Sequence, residues 1–317
     1  MNRTIAALGL GGVMLATSAA AETLKIATWN VENFTEGSRT VAELAMMAEL
    51  VDILDADVIA LQEVDGPEAA RLIFDPNEYE FHFSSRPDEQ RTGFAIRRGV
   101  AFIPNPDLSE LDVGGVRHGT DLTVMLGSQP LRLLSVHLKS FCHQNDLDNV
   151  SPTSSSDCGK LKQQIPILEG WIEARAQEAV PLIVLGDFNR RFTQPNDQVW
   201  VDLDDGEPAN ADLTALTQDM PISCRDNTFT EFIDHIVVDR RVLPWVDRTS
   251  FRQLTYRQAD KAVWDQLSDH CPVLIELLIQ SSCGFSSTAE GTRTPFAFST
   301  NGCDTRGMLA GCRVSNV

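Results

Sequence analysis

Apolar residues recur along the chain with two different periods. "TLKIATWNV" (23–31) and "DVIALQEV" (57–64) read as strands. Between them, "SRTVAELAMMAELVDIL" (38–54) places Val41, Leu44, Met47, Ala48, Val51 and Leu54 on one helical face, with Ser38 or Thr40 available as the cap. "GFAIRRG" (93–99) predicts a shorter strand. "TDLTVMLGSQPLRLLSVHLKS" (120–140) reads as a hairpin turning at Gly127 and Ser128, with His137 near its far end. "KLKQQIPILEGWIEARAQ" (160–177) predicts a helix weakened early by Pro166, followed by the strand of "PLIVLGDFN" (181–189). "FIDHIVVD" (232–239) and "CPVLIELLI" (271–279) supply the last two strands. Strands outnumber helices, hairpins alternate with helical crossovers, and no internal repeat is visible. The expected fold class is α+β, a four-layer αββα sandwich of two packed mixed sheets flanked by helices.

The pattern changes at both ends. Residues 1–21, "MNRTIAALGLGGVMLATSAAA", have a basic start at Arg3, an apolar middle and a small-residue end, the layout of a signal peptide. A short buried helix is the competing reading, but its glycines would be costly there. Cleavage after Ala21 would leave Glu22 as the mature N-terminus, so the protein is expected to be periplasmic or secreted. The folded domain is expected over 22–280. Residues 281–317, rich in Gly, Ser and Thr and without periodicity, read as a disordered tail. Codons for "EGTRTP" accommodate GGGACTCGAACCCC, the complement of a tRNA T-arm. The tail is therefore expected to be antisense read-through rather than an evolved segment.

Composition narrows the partners. The 317 residues carry 26 Lys and Arg against 45 Asp and Glu, a formal charge of −19. That field repels nucleic acid and anionic membranes, which argues against a tight DNA-binding module but not against an enzyme that grips a phosphate briefly through a cation. No stretch after the N-terminus is long and apolar enough to cross a bilayer. Seven cysteines suit an exported protein, and the odd number leaves at least one unpaired. Cys142 and Cys158 bracket a polar, Ser-rich loop that a disulfide would restrict by roughly 3 kcal/mol in the unfolded chain. Zinc binding by Cys142, His143 and Cys158 is the alternative, though it lacks a second close ligand pair.

Chemistry-bearing residues gather where strands end: Asn30, Glu63, His137, Asp187 and Asn189, then Asp234 early in its strand and Asp269 and His270 before the last one. Taken singly, a strand-end Asn or Asp is a turn former and a lone His a satisfied polar residue. Asp187 and Asn189, two apart on a strand, face one side together.

The motifs "TWNVEN", "LQEV", "SVHLKS", "GDFNR", "FIDHIVV" and "SDHCPV", in this order, resemble the endonuclease/exonuclease/phosphatase superfamily, which contains the pancreatic-type deoxyribonucleases. The resemblance covers roughly residues 23–279. It implies a metal-dependent phosphoesterase with an αββα sandwich. By position, it makes Asn30 and Glu63 ligands of Mg²⁺, with Mn²⁺ or Ca²⁺ as substitutes, and Asp269 a further carboxylate near the metal. It makes Asp187 the group that orients or deprotonates the attacking water and Asn189 the amide holding a phosphate oxygen. His137 and His270 would flank the phosphate, with Asp234 fixing the tautomer of His270. Abasic-site repair members carry Tyr where this chain has His137, whereas the deoxyribonuclease and sphingomyelinase branches carry His. One departure is Gln90, which stands where deoxyribonucleases place a Glu against that His; Glu89 is the nearest substitute. Arg117 resembles a phosphate-gripping Arg of the same branch, and Arg190 and Arg191 read as phosphate contacts or as pairs for nearby acids.

The resulting expectation is an exported, metal-dependent phosphodiesterase, an endonuclease acting on DNA or RNA as a transient substrate. A sphingomyelinase or phosphoinositide phosphatase of the same superfamily is the enzyme alternative, and an inactivated binding member the non-enzyme one. A membrane route would need an exposed apolar or aromatic loop, so no stable membrane association is expected, and no protein partner is inferred.

Overall fold

The computed structural model describes residues 22–279 apart from 88, 152, 193–195, 219, 225–230, 256–262, 264 and 265. The expected leader (1–21) and tail (281–317) lie outside the described residues. The chain opens with β1 (Glu22–Phe34), α1 (Val41–Leu54), β2 (Val58–Val64) and a single turn, α2 (Pro67–Ala70). Next come β3 (Tyr79–Phe83), β4 (Arg91–Arg97) and β5 (Phe102–Pro104), then the hairpin of β6 (Thr120–Leu126) and β7 (Gln129–His137). The second half contributes α3 (Asp157–Gln177), β8 (Leu182–Asp187), α4 (Gln198–Leu203), β9 (Leu213–Ala215), β10 (Asp234–Asp239), β11 (Val246–Gln253) and β12 (Val273–Ile279).

These strands form two six-stranded sheets, ordered β11-β12-β1-β2-β4-β3 and β5-β6-β7-β8-β10-β9. Each sheet is antiparallel except for one central parallel pair, β1 with β2 in the first and β7 with β8 in the second. Each parallel pair needs a helical crossover, supplied by α1 and α3 respectively. The sheets therefore repeat one layout that the sequence does not display as a repeat.

Period-two alternation sorts the strands into layers. Leu24, Ile26, Val58 and Ala60 face Leu131, Leu133, Ile183 and Leu185 in the core between the sheets. Ala27, Trp29, Ile59 and Leu61 pack outward with Met47, Leu50, Val51 and Leu54 of α1. Leu134, Val136, Leu182 and Val184 pack outward with Leu161, Ile165, Leu168 and Ile172 of α3. That is the expected αββα sandwich.

Local signals set the boundaries. Thr40, not Ser38, caps α1 in a capping box: its hydroxyl accepts from Glu43 N while Glu43 accepts from Thr40 N. Ser156 caps α3, which begins three residues before the expected start and runs through Pro166. The loss of one N–H there does not break a helix whose apolar face is buried along its length. The β6–β7 turn falls at Gly127 and Ser128, with Gly127 at φ 58°. Among the described residues no helix is long and apolar enough to cross a membrane.

Candidate active site

The inward-facing row of each central strand ends in a polar residue. On β1 the row Leu24, Ile26, Thr28 ends at Asn30; on β7 the row Leu131, Leu133, Ser135 ends at His137; on β8, Ile183 and Leu185 lead to Asp187. Asp234, the first residue of β10, sits opposite Asp187 in the antiparallel ladder. The carboxyl ends of both parallel pairs thus meet at one edge of the sandwich. Such ends are where ligands bind in parallel sheets. Just below them, Thr28 Oγ1 donates to Gln62 Oε1 (3.3 Å) and Gln62 Nε2 to Ser135 Oγ (3.1 Å). This buried polar layer joins the two sheets between the apolar core and the site.

Glu63 breaks the alternation. Ile59 and Leu61 face α1, so Glu63 would follow them outward, but it takes a left-handed conformation (φ 60°) where the β2–β4 register shifts. A bulge of this kind re-aims one side chain. Asn189 (φ 52°), Glu32 (φ 51°) and Asn33 (φ 48°) are left-handed as well. Strain concentrated at one edge costs of order 1–3 kcal/mol per residue and clusters at functional sites. Gly186 has a different reason. At φ 143° a Cβ would lie 2.0 Å from Val136 O, so only glycine lets β8 run beside β7 and present Asp187.

The side chains form one connected group. Asn30 Nδ2 donates to Asp187 Oδ2 (3.0 Å) and lies 3.3 Å from Glu63 Oε1, linking the two sheets. Asp187 also accepts from the backbone N of Asn189 (2.8 Å) and from Asn189 Nδ2 (3.1 Å). With a further bond to Leu138 O (3.1 Å), both amide hydrogens of Asn189 are engaged, and its side chain holds the carboxylate in place. His137 Nε2 lies 3.5 Å from Asp187 Oδ2 and 3.7 Å from Glu63 Oε1. His270 Nδ1 donates to Asp234 Oδ2 (2.7 Å); its Nε2 lies 3.8 Å from Asp187 Oδ2 and 3.5 Å from Asp269 Oδ1. Asp269 is tied to β1 through Glu32, whose Oε2 accepts from Asp269 N (2.7 Å).

Burial and charge separate the two imidazoles. Burial, reinforced by the Arg117 charge, holds His137 well below the ordinary histidine range, so it is neutral. Burial opposes charge on His270 too, but the Asp234 and Asp187 carboxylates prevail and raise it well above that range. Burial pushes Asp187 up to about 7, with His270 acting in the opposite direction.

A cavity of about 330 Å³ opens over this group, lined by Glu63, His137, Asp187, Asn189, Asp234, Asp269 and His270. Arg117 does not line it. Its Nη2 donates to Gln90 Oε1 (2.6 Å), and Gln90 in turn contacts Asn33 and Glu63 (3.4 Å). Gln90 therefore couples Arg117 to Glu63 and is not hydrogen-bonded to His137, whose Nδ1 is buried without a partner. Arg190 is structural, bonded to Asp197 (2.7 Å) and to the carbonyls of Cys142 and Asn145. Arg191 reaches the cavity wall. Cys142 and Cys158 are disulfide-bonded, which removes the zinc alternative; Cys224 and Cys271 form a second bridge that lines the cavity. Glu32, Phe141 and Glu231 on that wall were not expected from the sequence, and His143, considered there as a zinc ligand, lines the cavity instead. Of the three unexpected residues, only Glu32 had a signal, as the residue two beyond Asn30.

The residues fit a hard divalent cation. Oxygen donors from Asn30, Glu63 and Asp269 stand beside an excess of buried carboxylate, and Asp234 Oδ1 is buried without a hydrogen-bond partner. Among the described residues, Asp187, Asp234 and His270 each bring a ligand-type atom within 4.8 Å of the others. Asn30 adjoins that cluster at Asp187, Glu63 is reached through Asn30 and His137, and Asp269 adjoins the cluster at His270.

The family model for the endonuclease/exonuclease/phosphatase family matches residues 27–270. A search of curated proteins finds no match. Among solved structures, TDP2 from Caenorhabditis elegans superposes with a TM-score of 0.60 at 14% identity, covering 81% of this chain and 74% of its own. A family protein from Bacteroides thetaiotaomicron gives 0.51 at 16% identity, over 82% and 99%. D. rerio TDP2, complexed with a single-strand DNA product, gives 0.57 at 19% identity, over 80% and 98%. These likenesses concern the fold. The chain belongs to the endonuclease/exonuclease/phosphatase family, whose members are divalent-metal-dependent phosphoric ester hydrolases.

Proposed function

From that membership we propose an exported endonuclease that hydrolyses phosphodiesters in DNA or RNA with Mg²⁺. The observation that carries the reading is the buried Asp187 carboxylate at the junction of the sheets, 3.8 Å from a His270 ring fixed by Asp234 and 3.0 Å from Asn30. Two disulfides support an oxidising compartment.

Asp187 takes the proton of the attacking water, and a carboxyl raised to about 7 suits transfer near neutrality. Asn30 and Asn189 hold it in register. His270, charged and with its Nδ1 occupied by Asp234, offers its Nε2–H to the phosphate oxygens as charge builds on them. His137, neutral, provides a second N–H at the same edge. Asn30, Glu63 and Asp269 would hold Mg²⁺, for which Mn²⁺ or Ca²⁺ could substitute; it supplies Lewis-acid stabilisation of the phosphoryl group. General acid–base help contributes only about 10²–10⁴-fold to a reaction that needs many more orders of magnitude. The whole ensemble is therefore required.

Two variants separate these roles. Glu63→Gln should raise the Mg²⁺ concentration for half-maximal activity by roughly tenfold or more and recover partly at high Mg²⁺. Asp187→Asn should lose about 10²–10⁴-fold in kcat at every Mg²⁺ concentration. Equal rescue of both by added metal contradicts the assignment.

A further inference from the structure

Phe141 is 75% exposed and lines the cavity; among the described residues it is the one exposed large aromatic side chain. Its backbone is left-handed (φ 66°), a conformation unfavourable for a residue with a Cβ. The neighbouring chain enforces it. Cys142, fully buried, is bridged to Cys158, and its carbonyl accepts from Arg190 Nη1 (2.7 Å). The carbonyl of His143 accepts from Arg191 N (3.0 Å). The ring is thus held out to solvent by rigid anchors, at a strain that an ordinary surface position would have no reason to keep. Lys139 Nζ lies 5.2 Å from the ring centroid, placing a cation beside an aromatic face.

The surroundings select the occupant. Ile222, Phe232 and Ile233 line the same cavity, while the chain next to Phe141 is polar, with Lys139, Ser140 and His143. An exposed aromatic face flanked by polar chain and opening on a cavity with both apolar and hydrogen-bonding walls suits a flat ligand that is apolar on its faces and polar at its edges. A nucleobase has that character, and base–aromatic stacking tolerates every base. A base within a duplex has both faces covered, so the base must be unpaired. We propose that Phe141 is the stacking platform for an unpaired nucleobase beside the scissile phosphate, making this enzyme selective for single-stranded nucleic acid. The inference rests on the nuclease reading and adds the strand state that this site accepts.

The test compares two single-stranded oligonucleotides, one with bases throughout and one with base-free tetrahydrofuran sugars flanking the cleaved bond. The wild-type enzyme should prefer the first by roughly tenfold to a hundredfold in kcat/KM. In Phe141→Ala that preference should collapse towards one through a raised KM for the base-bearing strand, whereas Phe141→Trp should retain it. Equal melting temperatures exclude a folding defect. If Phe141→Ala keeps the full preference, stacking is overturned and the nuclease reading stands. If the wild-type enzyme shows no preference, or cleaves duplex but neither single strand, the inference is overturned and the nuclease reading stands; if it cleaves no nucleic acid, single-stranded or duplex, both are overturned.

Discussion

His235 and Asp187 sit one step apart across the β8–β10 ladder and have been assigned opposite tasks by what surrounds them. His235 points outward, its Nε2 donating to Arg190 O (2.7 Å) and its Nδ1 accepting from Thr217 (2.5 Å), with its ring stacked on Phe192 at 4.1 Å. Burial pushes it down from 6.5 to about 4. The unfolded chain therefore takes up a proton below pH 6.5 that the folded one refuses until about pH 4. Stability from this residue is complete above 6.5 and falls as the pH drops towards 4, by roughly 3 kcal/mol. Melting temperatures at pH 7 and pH 4.5 should differ more for the wild type than for His235→Gln, which can keep both hydrogen bonds without titrating. The same pH dependence in both would contradict this. At this scale the sequence was informative wherever alternation holds, as for Asn30, His137, Asp187 and Asp234. It could not show Glu63 turning inward through a left-handed bulge, nor Gln90 bonding to Arg117 instead of His137, because both depend on contacts between distant segments.

Among the elements, the strands that the apolar pattern missed are β3, β5, β9 and β11, the four sheet edges. Two have only three residues, and β11, "VDRTSFRQ", buries none of its side chains fully. Edge strands need charge and brevity to avoid pairing with other chains, and that removes the apolar run by which a strand is recognised. The long loop before α3 is a different case: besides hydrogen bonds from Arg190, Arg191 and Lys162, a covalent bond ties it down. Peptide mapping of the native protein should find Cys142 joined to Cys158 and Cys224 to Cys271. Mild reduction of the first bridge should free the loop that carries Phe141 and lower activity before the sandwich unfolds, since β7 and β8 remain paired without it. Loss of near- and far-ultraviolet circular dichroism together with activity would show instead that the bridge supports the whole fold.

For the whole molecule, a charge of −19 sets how a nuclease here must work. Long-range repulsion leaves little binding to Lys and Arg contacts, so few phosphates are neutralised. The slope of log affinity against log salt should accordingly be shallow, with a magnitude below about 3. Fluorescence anisotropy on an oligonucleotide, read before appreciable turnover with the slowed Asp187→Asn variant, measures that slope; a steep one would reveal an extended basic surface that the composition does not contain. The layered fold was readable because both central strand pairs are long and apolar, and the convergence of their ends follows from that layout. The most direct measurement incubates purified protein with circular single-stranded DNA, RNA and sphingomyelin, each with Mg²⁺ and with chelator. Cutting of the closed DNA circle or of RNA at internal bonds, abolished by chelator, restored by Mg²⁺ and slowed at least about a hundredfold in Asp187→Asn, is the predicted result. Intact nucleic acid alongside hydrolysed sphingomyelin, or cleavage that survives both chelator and the Asp187→Asn change, would contradict it.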